Sequence, residues 1–135
     1  MVKHAADVIV VGGGNAAFSA ALAAQEQGAS VLVLEAAPED EAGGNSRFTA
    51  GSVRVVYNGV DDIKALVPDL TPQEIAETDF GTYTADQFFD DMARVTQNRA
   101  DPDLVELLVT RSFDTFCWMR DKGIRFIPIY GRQAF

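Results

Sequence analysis

The stretch DVIVVGGGNAAFSAALAAQEQGASVLVLE, Asp7 to Glu35, sets an apolar run, a glycine turn, an alanine-rich helix, a second apolar run and an acid in that order. The run VIVV is apolar at successive residues, which predicts a strand covered on both faces of a parallel sheet. Gly12, Gly14 and Ala17 stand at the spacing GxGxxA. The first permits a tight turn, the second lets a pyrophosphate approach the backbone, and the third is small enough for helix and sheet to lie close. Together these parts read as an adenine-dinucleotide cradle, a stronger signal than the glycine spacing alone.

The anion in such a cradle meets the free N–H groups of the first helical turn, at the positive end of the macrodipole, so no basic side chain is required. This suits a chain with 20 acidic against 11 basic residues and a net charge of −9. Glu35 ends the second strand about 20 residues after the turn, where an acid accepts hydrogen bonds from the ribose hydroxyls and repels a 2′-phosphate. NAD and FAD both satisfy this much.

The continuation EAAPEDEAGGNSRFTAGSVR separates them. A nicotinamide domain proceeds to further βα units. Here a Gly/Asn/Ser loop follows instead. Gly43, Gly44 and Gly51 allow positive φ or close approach, and Asn45 and Ser46 supply short donors and acceptors for a second ligand segment. The acidic run Glu39 to Glu41 reads as a solvated loop, since its charge opposes a phosphate.

With VVGGGNAAFSAALAAQEQGASVLVLE and GGNSRFTAG, the chain resembles the flavoproteins of the fumarate reductase and succinate dehydrogenase family. The resemblance implies an α/β fold: the βαβ start of a Rossmann-like FAD-binding domain, then a mainly helical segment, with the sheet incomplete. It implies FAD contacts at Gly12, Gly13, Gly14, Asn15, Ala16, Ala17, Glu35, Ala36, Gly44, Asn45, Ser46, Thr49, Ala50 and Gly51. Membrane-bound members attach FAD through a histidine at the position that corresponds to Asn45. Asparagine cannot form that bond, so the expected FAD is noncovalent. Within the family, GGNSRFTAG and the tail GIRFIPIYGRQAF are most similar to the tricarballylate dehydrogenase subgroup, which oxidises a tricarboxylate to cis-aconitate by hydride transfer to flavin N5. That implies a small carboxylate substrate and a membrane-bound iron-sulfur electron acceptor.

The rest reads as helices. Thr71, Pro72 and Glu74 form a capping box with proline at the first position, and Thr84 and Gln87 repeat the box. Phe88, Met92 and Val95 mark one helix face to about Asn98. Asp101 and Pro102 open a longer helix carrying Leu104, Leu107, Leu108, Phe113, Phe116 and Trp118, read as core, which stops near Lys122 and Gly123. IRFIPIY then alternates as a strand, with Pro128 placing it at an edge or ending it early. The organisation is thus a cradle and flavin loop over residues 1–60, helices over 61–123 and the start of a strand over 124–135.

A length of 135 residues, 47% hydrophobic and 23% charged, describes an ordinary globular domain. The acidic balance with scattered basic residues argues against nucleic-acid binding. No apolar run spans a bilayer and no cleavage site follows the N-terminus, so the expected location is cytoplasmic. One cysteine, Cys117, and one histidine, His4, assemble no zinc site or Cys/His pair, and Cys117 reads as a buried, inert thiol. Arg47, Arg54, Arg125 and Arg132 are read as surface or structural, with only Arg132 retained as a weak carboxylate binder. No catalytic residue and no metal ligand is assigned. Family members run to several hundred residues and add a capping domain that bears the chemistry, so the expectation is a front portion whose open strand edges favour oligomers. Three readings stand: part of a flavin dehydrogenase, a nicotinamide-dependent domain, or a nucleotide-binding module without catalysis should the chain end at Phe135.

Overall fold

In a computed structural model, residues 4–129 are described, and the chain divides into two compact units, Met1–Val53 and Arg54–Phe135. The fold is mixed α/β.

The first unit is built from strand β1 (Val8–Val11), helix α1 (Asn15–Glu26) and strand β2 (Val31–Leu34). The strands pair in parallel with Val8 opposite Val31 and Val11 opposite Leu34, and α1 packs against both. Alanines give α1 a slim face, with Ala21 buried beneath it. At the head of the strands, Asp7 and Ser30 bind each other reciprocally. The Asp7 amide donates to Ser30 Oγ at 3.0 Å, while the Ser30 amide and hydroxyl donate to Asp7 Oδ2 at 2.9 and 2.6 Å. These bonds fix the register where the ladder begins.

The expectation that β1 is covered on both faces is corrected. Its residues alternate, with Val8 and Val10 half-buried against Ile9 and Val11, which are 56% and 83% exposed. One helix covers one face of a two-stranded sheet, and among the described residues of this unit no second layer lies on the other.

Hydrogen bonds from Ser30 hold the Asp7 carboxyl below the ordinary aspartate range. A depressed folded-state pKa contributes stability that is present above the unfolded value and is lost as pH falls through the folded value. Asp7→Asn is therefore expected to flatten the acid limb of the unfolding curve and to leave its alkaline limb unchanged, as read by circular dichroism across a pH series.

The described residues of the second unit carry four helices: α2 (Val60–Leu66), α3 (Pro72–Glu77), α4 (Ala85–Thr96) and α5 (Pro102–Asp121). Both expected capping boxes form. Thr71 accepts from the Glu74 amide, and Thr84 accepts from the Gln87 amide, with each glutamate or glutamine side chain answering the cap's own N–H. Asp101 caps α5 by accepting from Asp103 and Leu104, and Gly123, at φ +95°, lies just past its end. Helix α5 packs on α2 and α4 around Leu66, Val67, Phe88 and Val109. Buried Ser112 donates to the Val109 carbonyl and accepts the Val56 amide at 3.0 Å, so its hydroxyl is satisfied in both roles. Tyr57 and Tyr83 form an isolated antiparallel bridge.

Three readings of the helical segment are corrected. Leu104, Leu107 and Leu108 are 64%, 57% and 45% exposed, because α5 turns the other face, through Val109 and Ser112, to its neighbours. Val95 is exposed too, although Phe88 on the same helix is buried. Cys117 is half-buried rather than enclosed. The strand expected from residue 124 is absent over 124–129. Pro128 has no N–H for a ladder. Side chains instead tie the segment down by an Arg125–Asp69 ion pair at 2.7 Å and by Phe126 stacking on Phe116. Val109 is 1% exposed, and Val109→Ala is expected to cost about 2 kcal/mol in a denaturant titration, from two lost methyl groups and the cavity they leave.

Candidate cofactor site

The site grows from the C-terminal ends of β1 and β2. Gly12 takes φ +112°, a conformation an L side chain resists, and its amide donates to the Leu34 carbonyl at 2.7 Å before the chain turns into α1. Gly14 is the N-cap of α1 and brings no capping side chain. The ladder of α1 begins with the Phe18 amide on the Gly14 carbonyl, so the amides of Asn15, Ala16 and Ala17 have no intrahelical acceptor. Ala16 and Ala17 place only methyl groups beside them.

The second motif arrives at this same turn. Gly43, left-handed at φ +108°, starts a short 3-10 helix over Gly44–Phe48, and this lays the Ser46 hydroxyl against α1. Ser46 Oγ accepts the Asn15 amide at 3.1 Å. A Cβ on Gly14 would stand 3.4 Å from Ser46 Oγ and 3.5 Å from the Gly43 carbonyl. Two segments 31 residues apart thus meet over the helix N-terminus.

Glu35 completes the set. One carboxylate oxygen accepts the Ala37 amide at 3.0 Å, and a Cβ on Gly13 would lie 2.6 Å from the other. The Ala37 amide, joined by the backbone of Ala36, Gly13 and Gly43, holds the carboxyl below the ordinary glutamate range. It stays charged near neutrality and offers acceptors, as a ribose diol requires.

Of the residues expected from the sequence, Gly12, Gly13, Gly14, Asn15, Glu35, Ala36 and Ser46 converge here, with Ala16 and Ala17 on the adjoining turn. Gly44 and Asn45 open the 3-10 helix beside them. Thr49, Ala50 and Gly51 lie past its end, where the Thr49 hydroxyl donates to the Ser46 carbonyl at 2.9 Å and accepts the Gly51 amide. Ala50 is left-handed at φ +54°. Gly43, read from the sequence as permitting positive φ or close approach, does both here, and one participant was missed: Ala37, which contributes a backbone amide that no residue type announces.

The arginines are engaged elsewhere. Arg54 donates to Asp91 at 2.7 Å and to the Tyr83 hydroxyl at 3.2 Å, Arg125 pairs with Asp69, and Arg47 donates to the Asp40 carbonyl. Arg94, the main cause, and Tyr83 hold the Asp91 carboxyl below the ordinary range. Arg132 lies outside the described residues. Among the described residues there is no group of three or more His, Cys, Asp or Glu suited to a metal ion, and no helix long and apolar enough to cross a membrane.

The cradle fits an adenine dinucleotide on its own geometry: a positive-φ turn, an N-cap with no side chain, first-turn amides without intrahelical acceptors and a charged acceptor at the second strand's end. Comparison with known proteins agrees. A fumarate reductase (cytochrome) of Shewanella frigidimarina is 32% identical over 117 residues, which are 87% of this chain and 18% of that protein. A vinyl phenol reductase of Lactiplantibacillus plantarum is 29% identical over 99% of this chain and 24% of its own length. An L-aspartate oxidase of Mycobacterium leprae is 43% identical over 60 residues, 44% of this chain and 11% of that protein. The chain spans less than a quarter of the length of these relatives. Residues 7–134 match the FAD binding domain family, and the chain belongs to that family, whose cofactor is FAD.

Proposed function

We propose that this chain is the FAD-holding front portion of a flavin-dependent oxidoreductase acting on a carbon–carbon bond of a small carboxylate, and that FAD is held without a covalent link. The observation that carries the reading is the Ser46 hydroxyl on the Asn15 amide, which joins the GGNS loop to the dinucleotide cradle. When bound, FAD supplies the hydride-accepting and hydride-donating flavin. The chain's own part is to orient it. First-turn amides of α1 hold the pyrophosphate, the Glu35 carboxylate accepts from the ribose, and the loop from Gly44 to Gly51 runs along the flavin side. Asn45 stands where a linking histidine would be needed, so the flavin is expected to leave the protein on acid precipitation; flavin remaining with the protein on a denaturing gel would refute the noncovalent link.

The finer reading is oxidation of tricarballylate to cis-aconitate, with electrons leaving to a membrane-bound iron-sulfur partner and the protein in the cytoplasm. It rests on GGNSRFTAG and on a tail, GIRFIPIYGRQAF, whose residues 130–135 lie outside the described ones. The fumarate reductase relative favours a second reading, reduction of an unsaturated dicarboxylate. Assay of the flavin-loaded full-length enzyme separates them. Tricarballylate should reduce an electron-accepting dye on the first reading, and fumarate should oxidise a reduced dye on the second. A purified full-length enzyme without flavin absorption, which takes up no added FAD, would sink both.

A further inference from the structure

We infer that the Asn58–Gly59 bond is a site of spontaneous deamidation, a covalent modification independent of the flavin reading. Asn58 is exposed, and its side-chain amide has no hydrogen-bond partner among the described residues. The residue after it is glycine, with no Cβ to shield its amide nitrogen and with φ +146°. Nothing among the described residues accepts the Gly59 N–H, so that nitrogen is free to turn on its neighbour. The main chain on either side is held, by the Asn58 amide donating to Asp62 Oδ2 at 2.8 Å and by the Gly59 carbonyl accepting the Ile63 amide at 3.3 Å, while the Gly59 nitrogen between them has no acceptor among the described residues.

The Gly59 nitrogen attacks Cγ of the Asn58 side chain, the new N–Cγ bond closes a five-membered succinimide, and the Cγ–Nδ2 bond breaks. The proton released from Gly59 leaves with the departing amide nitrogen as ammonia. Water then opens the ring at either carbonyl to give aspartate or isoaspartate, with no change in oxidation state. Other asparagines are worse placed. Asn15 is in the first turn of α1 and Asn45 in the 3-10 helix, where helical backbone holds the following nitrogen away, and Asn98 precedes the bulky Arg99.

The product has a local consequence. Isoaspartate inserts an extra methylene into the main chain immediately before α2, whose first hydrogen bond runs from the Ile63 amide to the Gly59 carbonyl. A new carboxylate there also adds to the negative charge that Asp61 and Asp62 bring to the first turn. Leu66 and Val67, part of the core of this unit, follow on the same helix and cap.

The test is to hold the purified protein at mildly alkaline pH and body temperature and to map its peptides by mass, with isoaspartate detected by enzymatic methylation. The expected result is the amide-to-acid mass rise on the peptide carrying Asn58 ahead of every other asparagine, and its complete loss in Asn58→Gln. Gly59→Ala is expected to slow it strongly, and because that glycine has a positive φ, the Gln variant serves should the Ala variant fail to fold. Asn58 remaining intact while Asn45 or Asn98 converts would overturn the inference, as would a folded Gly59→Ala protein converting at the original rate.

Discussion

Gly14→Val is expected to weaken FAD binding by about 100-fold, equivalent to ~2.7 kcal/mol, while the protein without FAD keeps its fold. The backbone at Gly14 has φ −84° and ψ −179°, a region open to any residue, so the substitution adds no strain to the turn. Its Cβ would meet Ser46 Oγ and the Gly43 carbonyl at ordinary contact distances. The two methyl groups beyond it project into the space over the first-turn amides, which the pyrophosphate needs. Flavin fluorescence titration reads the affinity, and circular dichroism reads the fold. Gly14→Ala should fall between the two, and a Val variant that binds FAD as the parent does would place the pyrophosphate elsewhere.

Ser46→Asp is expected to separate stability from cofactor binding. A carboxylate at this position still accepts the Asn15 amide and adds a negative charge at the positive end of α1, so the protein without FAD should melt at the same temperature or higher, by about 0.5 kcal/mol. That same charge opposes the pyrophosphate, and FAD affinity should fall by about 100-fold, ~2.7 kcal/mol. Ser46→Ala removes the acceptor and should lower stability by about 1 kcal/mol, the usual loss for a helix cap. Thermal melts with and without FAD read both quantities. Tighter FAD binding in the Asp variant would mean that the hydroxyl and the pyrophosphate do not share the Asn15 amide.

The cradle was legible because each of its parts is local. Val8 to Val11, the Gly12 turn, the alanine helix and Glu35 each state their role within a few residues. The caps at Thr71, Thr84 and Asp101 were legible for the same reason, since a side-chain oxygen finds an amide two or three positions on. Helix α2 was hidden, because its N-cap is Gly59, which has no side chain to announce a start. The 3-10 helix was hidden within a glycine-rich run that lacks helical periodicity. Burial was the least legible property. Leucines at 104, 107 and 108 and valine at 109 are equally apolar, and only the position of α2 and α4 decides which of them is covered. The contact of Ser46 with Asn15 depends on how a 31-residue excursion returns, a matter no local pattern encodes.

The Asp7–Ser30 pair bears on how the protein can be engineered. It closes the start of both strands, whereas Gly12 and Glu35 lie at their other ends, about 16 Å away across a four-residue strand and its flanks. Substitutions farther apart than about 7–10 Å and sharing no partner contribute independently. The opening of the sheet is therefore a handle for hardening the scaffold without retuning its ligand: a tighter clasp at Asp7 and Ser30 should raise the melting temperature of the empty and the FAD-bound protein by equal amounts.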